Sequence, residues 1–193
     1  TSNNCSTNHF LEVQVHPYNS AYPAPQLSVS CSGDTMTVNS NNIPTFEFVQ
    51  ITPNALAAQN NSYQIPLNPT RRAVPGAMPL GTVGVSVTGL NLFGAFEAPQ
   101  QGYADPVSDN ILDSCNGHTA QRGDYHFHAR FGCVFSAPDT VGLVYGYLFD
   151  GYEIVAPYEC VDASCTQTRK VTSSYVRVNQ NSNAAFEAWQ YQA

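Results

Sequence analysis

Gln26-Leu27-Ser28-Val29-Ser30-Cys31-Ser32-Gly33-Asp34-Thr35-Met36-Thr37-Val38-Asn39-Ser40 reads as two short strands closed by a Ser-Gly-Asp turn. Gly and Asp suit a tight reversal, so the stretch predicts a β-hairpin. The same pattern extends outward. Residues 43–49 and Tyr63-Gln64-Ile65-Pro66-Leu67 are further strand candidates, with Pro44 and Pro66 placed at their starts or edges. Gly81-Thr82-Val83-Gly84-Val85-Ser86-Val87-Thr88-Gly89 alternates and runs on through Leu90-Asn91-Leu92-Phe93, its glycines suggesting a bulge or a close backbone approach. Residues 123–133, 141–149, 152–155 and 172–178 complete the strand candidates. A short helix is expected around Ala55-Leu56-Ala57-Ala58, a long surface loop over 94–107, and an amphipathic segment over 184–189.

The composition agrees with this reading, since Asn, Ser, Thr, Gly, Pro, Val and Tyr dominate and Lys170 is the one lysine. The predicted architecture is all-β, an antiparallel β-sandwich, immunoglobulin-like in the broad sense, with long irregular loops and an extended N-terminal strand. At 193 residues the chain suits one core. Residues 1–25 are read as that strand and a Pro-rich linker, and 26–193 as a single β-rich domain.

The strand is His9-Phe10-Leu11-Glu12-Val13-Gln14-Val15-His16, in which Leu11, Val13 and Val15 share one face. Pro17, Pro23 and Pro25 follow, and favour an extended linker over a tight hairpin. An apolar strand on such a linker can complete the sheet of a second copy, in the donor-strand manner.

Seven Lys and Arg stand against 14 Asp and Glu, a net charge of -7, so nothing here would neutralise a phosphate backbone. Nucleic acid is excluded as a natural partner, and no apolar run approaches the length of a membrane span. Charged residues make up only 11% of the chain, which leaves a surface open to association with copies of itself. The chain opens at Thr1 without an apolar leader, as expected of a secreted protein whose signal peptide has been removed.

Cys5, Cys31, Cys115, Cys133, Cys160 and Cys165 form an even, widely spaced set without a Cys-x-x-Cys pair. Disulfides in an extracellular protein are the expected use, and proximity in sequence suggests Cys5 with Cys31, Cys115 with Cys133 and Cys160 with Cys165. That assignment leaves no thiol nucleophile. No serine sits in a Gly-x-Ser-x-Gly elbow, so a serine hydrolase is not indicated either.

The chemistry concentrates in Asp113-Ser114-Cys115-Asn116-Gly117-His118-Thr119, then Gly123-Asp124-Tyr125-His126-Phe127-His128, then Gly146-Tyr147-Leu148-Phe149-Asp150-Gly151-Tyr152. On a strand His126 and His128 face one side, while Tyr125 and Phe127 face the other. Two adjacent imidazoles make half of a metal site, which His118 and either Asp113 or Asp150 would complete, with zinc or copper as the ion by ligand type. Two other uses stand beside it: a buried network without metal, and a solvated strand face.

These three stretches resemble the YHYH family, whose signature runs from Cys-x-Gly-His through a turn to Tyr-His-Tyr-His and on to a Gly-Tyr-x-x-Asp-Gly-aromatic strand. The resemblance spans roughly residues 27 to 160 and implies a secreted protein in which these histidines are the shared feature. Phe127 replaces the second tyrosine of the signature, and Ile154-Val155-Ala156-Pro157 stands where the family usually has Ile-Tyr-Gly-Pro, so two hydroxyls are absent. Two functions follow as expectations. The first is a secreted structural protein, a subunit of an extracellular filament joined to copies of itself through Leu11, Val13 and Val15. The alternative is an extracellular metal-dependent hydrolase or oxidase built on the histidine cluster.

Overall fold

β1 (Leu27–Ser32) and β2 (Thr35–Ser40) form the expected hairpin, with Gly33 at φ +56° in its turn, and β3 (Asn61–Pro66) pairs antiparallel with the other edge of β2. The structure, a computed structural model, describes residues 5–74 and 76–192. The period of two is visible along β2, where Met36, Val38 and Ser40 are buried while the residues between them are not.

A six-stranded sheet follows, built from β4 (Thr82–Ser86), β5 (Asn91–Phe93), β6 (Gly117–Thr119), β7 (Tyr125–Phe127), β8 (Val144–Leu148) and β9 (Glu153–Val155). Its order is β6-β7-β5-β4-β8-β9. Two small hairpins lie beyond it: β10 (Tyr158–Cys160) with β11 (Thr168–Lys170), and β12 (Tyr175–Arg177) with β13 (Trp189–Tyr191). A four-residue helix, α1 (Ala185–Ala188), leads into β13. The fold is all-β.

The antiparallel expectation needs one correction, because β5 and β7 run parallel, with Asn91 opposite His126 and Leu92 opposite Phe127. Parallel neighbours need a long crossover, and residues 94–124, which include β6, supply it. The candidate ligands come from this crossover and from the strand it leads to. The core joins the sheets: Met36, Val38 and Ile65 cluster with Val85, Val144 and Tyr147, while Tyr125, Phe127, Phe131 and Tyr145 cluster with Ile43 and Leu56.

The expected N-terminal strand does not form. Thr7–His9 is a 3-10 turn, and from there to His16 the chain takes up no regular secondary structure and pairs with no described strand. Leu11 N–H donates to Val87 O at 2.9 Å, and Gln14 exchanges both of its main-chain bonds with the Thr45 hydroxyl. Phe10 stacks on Tyr147 with ring centroids 5.6 Å apart, Leu11 and Val13 are half-buried on their own chain, and Val15 is 46% exposed. The apolar face is thus partly covered by contacts that need no ladder. Removing residues 1–22 is expected to lower stability by roughly 3 kcal/mol or more, because the Cys5–Cys31 link is lost together with the Phe10 contact. Urea denaturation checks this; an unchanged stability accompanied by loss of polymers would support the donor-strand role instead.

Two other expected elements are absent for a related reason. Residues 43–49 form no strand because the buried Asn19 side chain takes the place of a partner: its Nδ2 donates to Pro44 O and Phe46 O, and its Oδ1 accepts from Phe48 N–H. Residues 54–61 form no helix, since Ala57 N–H bonds Gly123 O and Gln59 N–H bonds Asn41 O. A helix of barely two turns does not hold such donors against tertiary partners.

Disulfides join Cys5 to Cys31, Cys115 to Cys133 and Cys160 to Cys165, and no free cysteine remains among the described residues. No described helix is long and apolar enough to cross a membrane.

Candidate metal centre

β6 and β7 are antiparallel, with His118 directly opposite His126, and His128 continues the pairing through its N–H bond to Asn116 O at 3.1 Å. Strand alternation therefore sends Tyr125 and Phe127 into the core and brings His118, His126 and His128 together on the opposite face.

The turn before His118 is shaped by a short polar network. Asp113 Oδ1 accepts from Cys115 N–H and Gly117 N–H, and its Oδ2 accepts from the Tyr125 hydroxyl at 2.8 Å. Asn116 takes φ +66°, a left-handed conformation that Asn tolerates. Gly117 is required by space, since a Cβ there would lie 2.4 Å from the Tyr125 hydroxyl. Burial, with Asp113 as the nearby negative charge, pushes the Tyr125 phenol far above its usual range, so it stays protonated and donates.

Three imidazoles form a compact triangle, with centroid separations of 4.7, 4.8 and 5.1 Å and each pair of rings steeply inclined. Each ring is anchored at Nδ1 to a main-chain carbonyl: His118 to Ile111 O at 2.8 Å, His126 to Asp124 O at 3.2 Å and His128 to Gly94 O at 2.7 Å. A carbonyl can only accept, so Nδ1 carries the hydrogen in every ring. In a neutral ring of this tautomer, the Nε2 lone pair is left facing inward.

Glu97 completes the set, with its Oε1 3.1 Å from His118 Nε2 and 3.2 Å from His128 Nε2. Oε1 is buried without a hydrogen-bond donor, and His126 Nε2 lies 3.0 Å from His128 Nε2. With the rings neutral, such contacts set acceptors against acceptors, an arrangement that a cation resolves. All four donor atoms lie within 4.8 Å of one another. The three close separations approach the ~3.3 Å edge of a tetrahedron with bonds of about 2.0–2.1 Å.

Burial is nearly complete, at 4% side-chain exposure for His118, 1% for His128 and 15% for Glu97. Phe93 stacks on His126 at a 3.7 Å centroid distance. Burial, reinforced by the two neighbouring imidazoles, drives the His126 pKa well below the ordinary histidine value, which keeps that ring neutral and able to ligate. Burial opposes ionisation of Glu97, but His118 and His128 in their protonated form outweigh it and hold the carboxyl well below the usual carboxylate range, a role that a cation bound between neutral rings would take over.

The two aspartates expected as ligands are elsewhere. Asp113 spends both oxygens on the turn before β6, and the exposed Asp150 accepts from Tyr152 N–H in the turn between β8 and β9. Glu97 takes the acidic position, from the loop after β5. A signal for it existed: it is the one acidic residue between Phe93 and Pro99, in a chain with few glutamates.

The family described as YHYH protein matches residues 62–192, which takes in all four donors. That span begins later and ends later than the roughly 27–160 over which the resemblance is read from the sequence. No curated protein and no solved structure matches the chain.

Proposed function

The chain belongs to the YHYH protein family, and from that premise we propose that it is an extracellular protein whose buried centre, His118, His126, His128 and Glu97, holds a divalent transition ion. The observation that carries this reading is the common tautomer: three Nδ1 atoms anchored on carbonyls, three Nε2 lone pairs and one unsatisfied carboxylate oxygen converging. Imidazole and carboxylate together suit zinc or copper. Four protein donors in a nearly closed site favour an ion that is kept over one that turns over substrate, since catalytic centres leave a position open. The ion's role is then structural: it ties the loop carrying Glu97 to the edge strand β6 and its neighbour β7. Three disulfides support an oxidising compartment and hence secretion.

Elemental analysis of protein purified without chelator tests the proposal. Zinc or copper is expected in stoichiometric amount, reduced to background in a His126→Ala/His128→Ala variant. Equal metal content in the variant and the parent would place the ion elsewhere and end this reading.

A further inference from the structure

Of the four donors, Glu97 alone lies outside the strand pair and its immediate continuation. The histidines are fixed by main-chain pairing and by their Nδ1 bonds. Glu97 is fixed by a loop, and the loop is held by the C-terminal segment. Glu97 N–H donates to Ala104 O at 2.8 Å, which closes the loop at its base. Residues 103–105 then run antiparallel to 183–185: Ala104 bridges Ala184, Ala185 N–H bonds Tyr103 O, and Asp105 N–H bonds Asn183 O. Beside Glu97, Phe96 packs against Phe186 at 4.5 Å and against Tyr103 at 6.3 Å.

One buried carboxylate gathers this junction. Asp105 is 7% exposed; its Oδ1 accepts from Val107 N–H and Ser108 N–H, and its Oδ2 accepts from the Ser108 hydroxyl at 2.7 Å and from Trp189 Nε1–H at 2.9 Å. Arg177, paired with Trp189 across β12 and β13, reaches the same Ser108 hydroxyl at 3.0 Å. A buried charge of this kind depends on each of its donors.

We infer that Trp189 and Asp105 are positioning residues that hold Glu97 on the ion, so that the C-terminal segment decides whether a small anion can reach the metal. Release of the segment leaves three histidines and one open position, the arrangement of an accessible centre. This inference rests on the metal reading above and assigns a regulated fourth site to it.

Cobalt serves as the test ion and azide as the probe. The parent, Glu97→Gln, Trp189→Phe and Asp105→Asn proteins are loaded with cobalt and titrated with azide while visible absorption is followed. Phenylalanine keeps most of the ring volume and removes only the N–H donor. Cobalt is expected to remain stoichiometric in the parent, in Trp189→Phe and in Asp105→Asn, with azide bound about tenfold more tightly in both variants, approaching the Glu97→Gln response. Parent-like azide titrations in both variants, with a response from Glu97→Gln, would overturn the inference and leave the metal centre standing. Failure of the parent to take up cobalt would overturn both.

A measurement on the parent alone guards against a variant that fails to fold. The chain has one tryptophan, so its indole N–H resonance is unambiguous. Because linkage is reciprocal, that proton should exchange with deuterium about tenfold more slowly in ion-loaded than in chelator-treated protein. Equal rates would show that the Trp189 contact and the centre are uncoupled, contrary to the inference.

Discussion

Chelator treatment is expected to lower the thermal midpoint by about 8–16 °C, and the His126→Ala/His128→Ala variant should show no such response. An ion present at a thousandfold its dissociation constant contributes about 4 kcal/mol to the folded state, and ~1 kcal/mol moves the midpoint of a domain this size by about 2–4 °C. The contribution is large here because the alternative is costly. Without a cation, the lone pairs of His126 and His128 meet at 3.0 Å, and Glu97 Oε1 is buried beside two further acceptors. Calorimetry of chelated and reloaded protein reads the shift. A chelator-independent midpoint in the parent would mean that the four donors are held by something other than an ion.

Asn42→Ala is expected to cost roughly 3–6 kcal/mol, a large part of the stability of an ordinary domain. Asn42 is fully buried between the two parallel strands: its Nδ2 donates to Tyr125 O at 2.9 Å, and its Oδ1 accepts from Asn91 N–H at 3.1 Å. Alanine orphans both main-chain groups. It also has to adopt the φ of +58° that asparagine tolerates, at a cost of about 1–2 kcal/mol. Asn42→Gly relieves only the second cost, so the difference between the two variants measures backbone strain, and their common loss measures the hydrogen bonds. Equilibrium denaturation checks both. A loss below about 1 kcal/mol in Asn42→Ala would show that β5 and β7 pair without this brace.

The same residue type explains where the sequence could be read and where it could not. The hairpin of β1 and β2 was legible because its turn and its period of two are local properties. The histidine alternation on β7 was legible for the same reason, as was the disulfide pairing, which joins cysteines close in sequence. Residues 43–49 carry the same apolar pattern but no ladder, because Asn19 satisfies their main chain from outside. Residues 9–16 likewise spend their bonds on Val87 and Thr45. A buried asparagine standing in for a partner strand leaves no periodic mark, so such segments look like strands in sequence.

The site divides along similar lines. His118, His126 and His128 were legible because two share a strand face and the third precedes a short turn. Glu97 was not, because it arrives from an aperiodic loop whose placement depends on Asn183, Ala184 and Trp189, far along the chain. Asp113 and Asp150 drew attention by nearness in sequence. Their carboxylates are instead engaged in the turns that position β6 and β9.

X-ray absorption at the metal edge, on protein purified without added chelator, tests the centre most directly. Three imidazole nitrogens and one carboxylate oxygen at about 2.0–2.1 Å are predicted around a single zinc or copper ion, with no sulfur neighbour, since all six cysteines are in disulfides. A metal-free protein from zinc- and copper-supplemented culture, or a first shell with fewer than two imidazoles, would contradict the account.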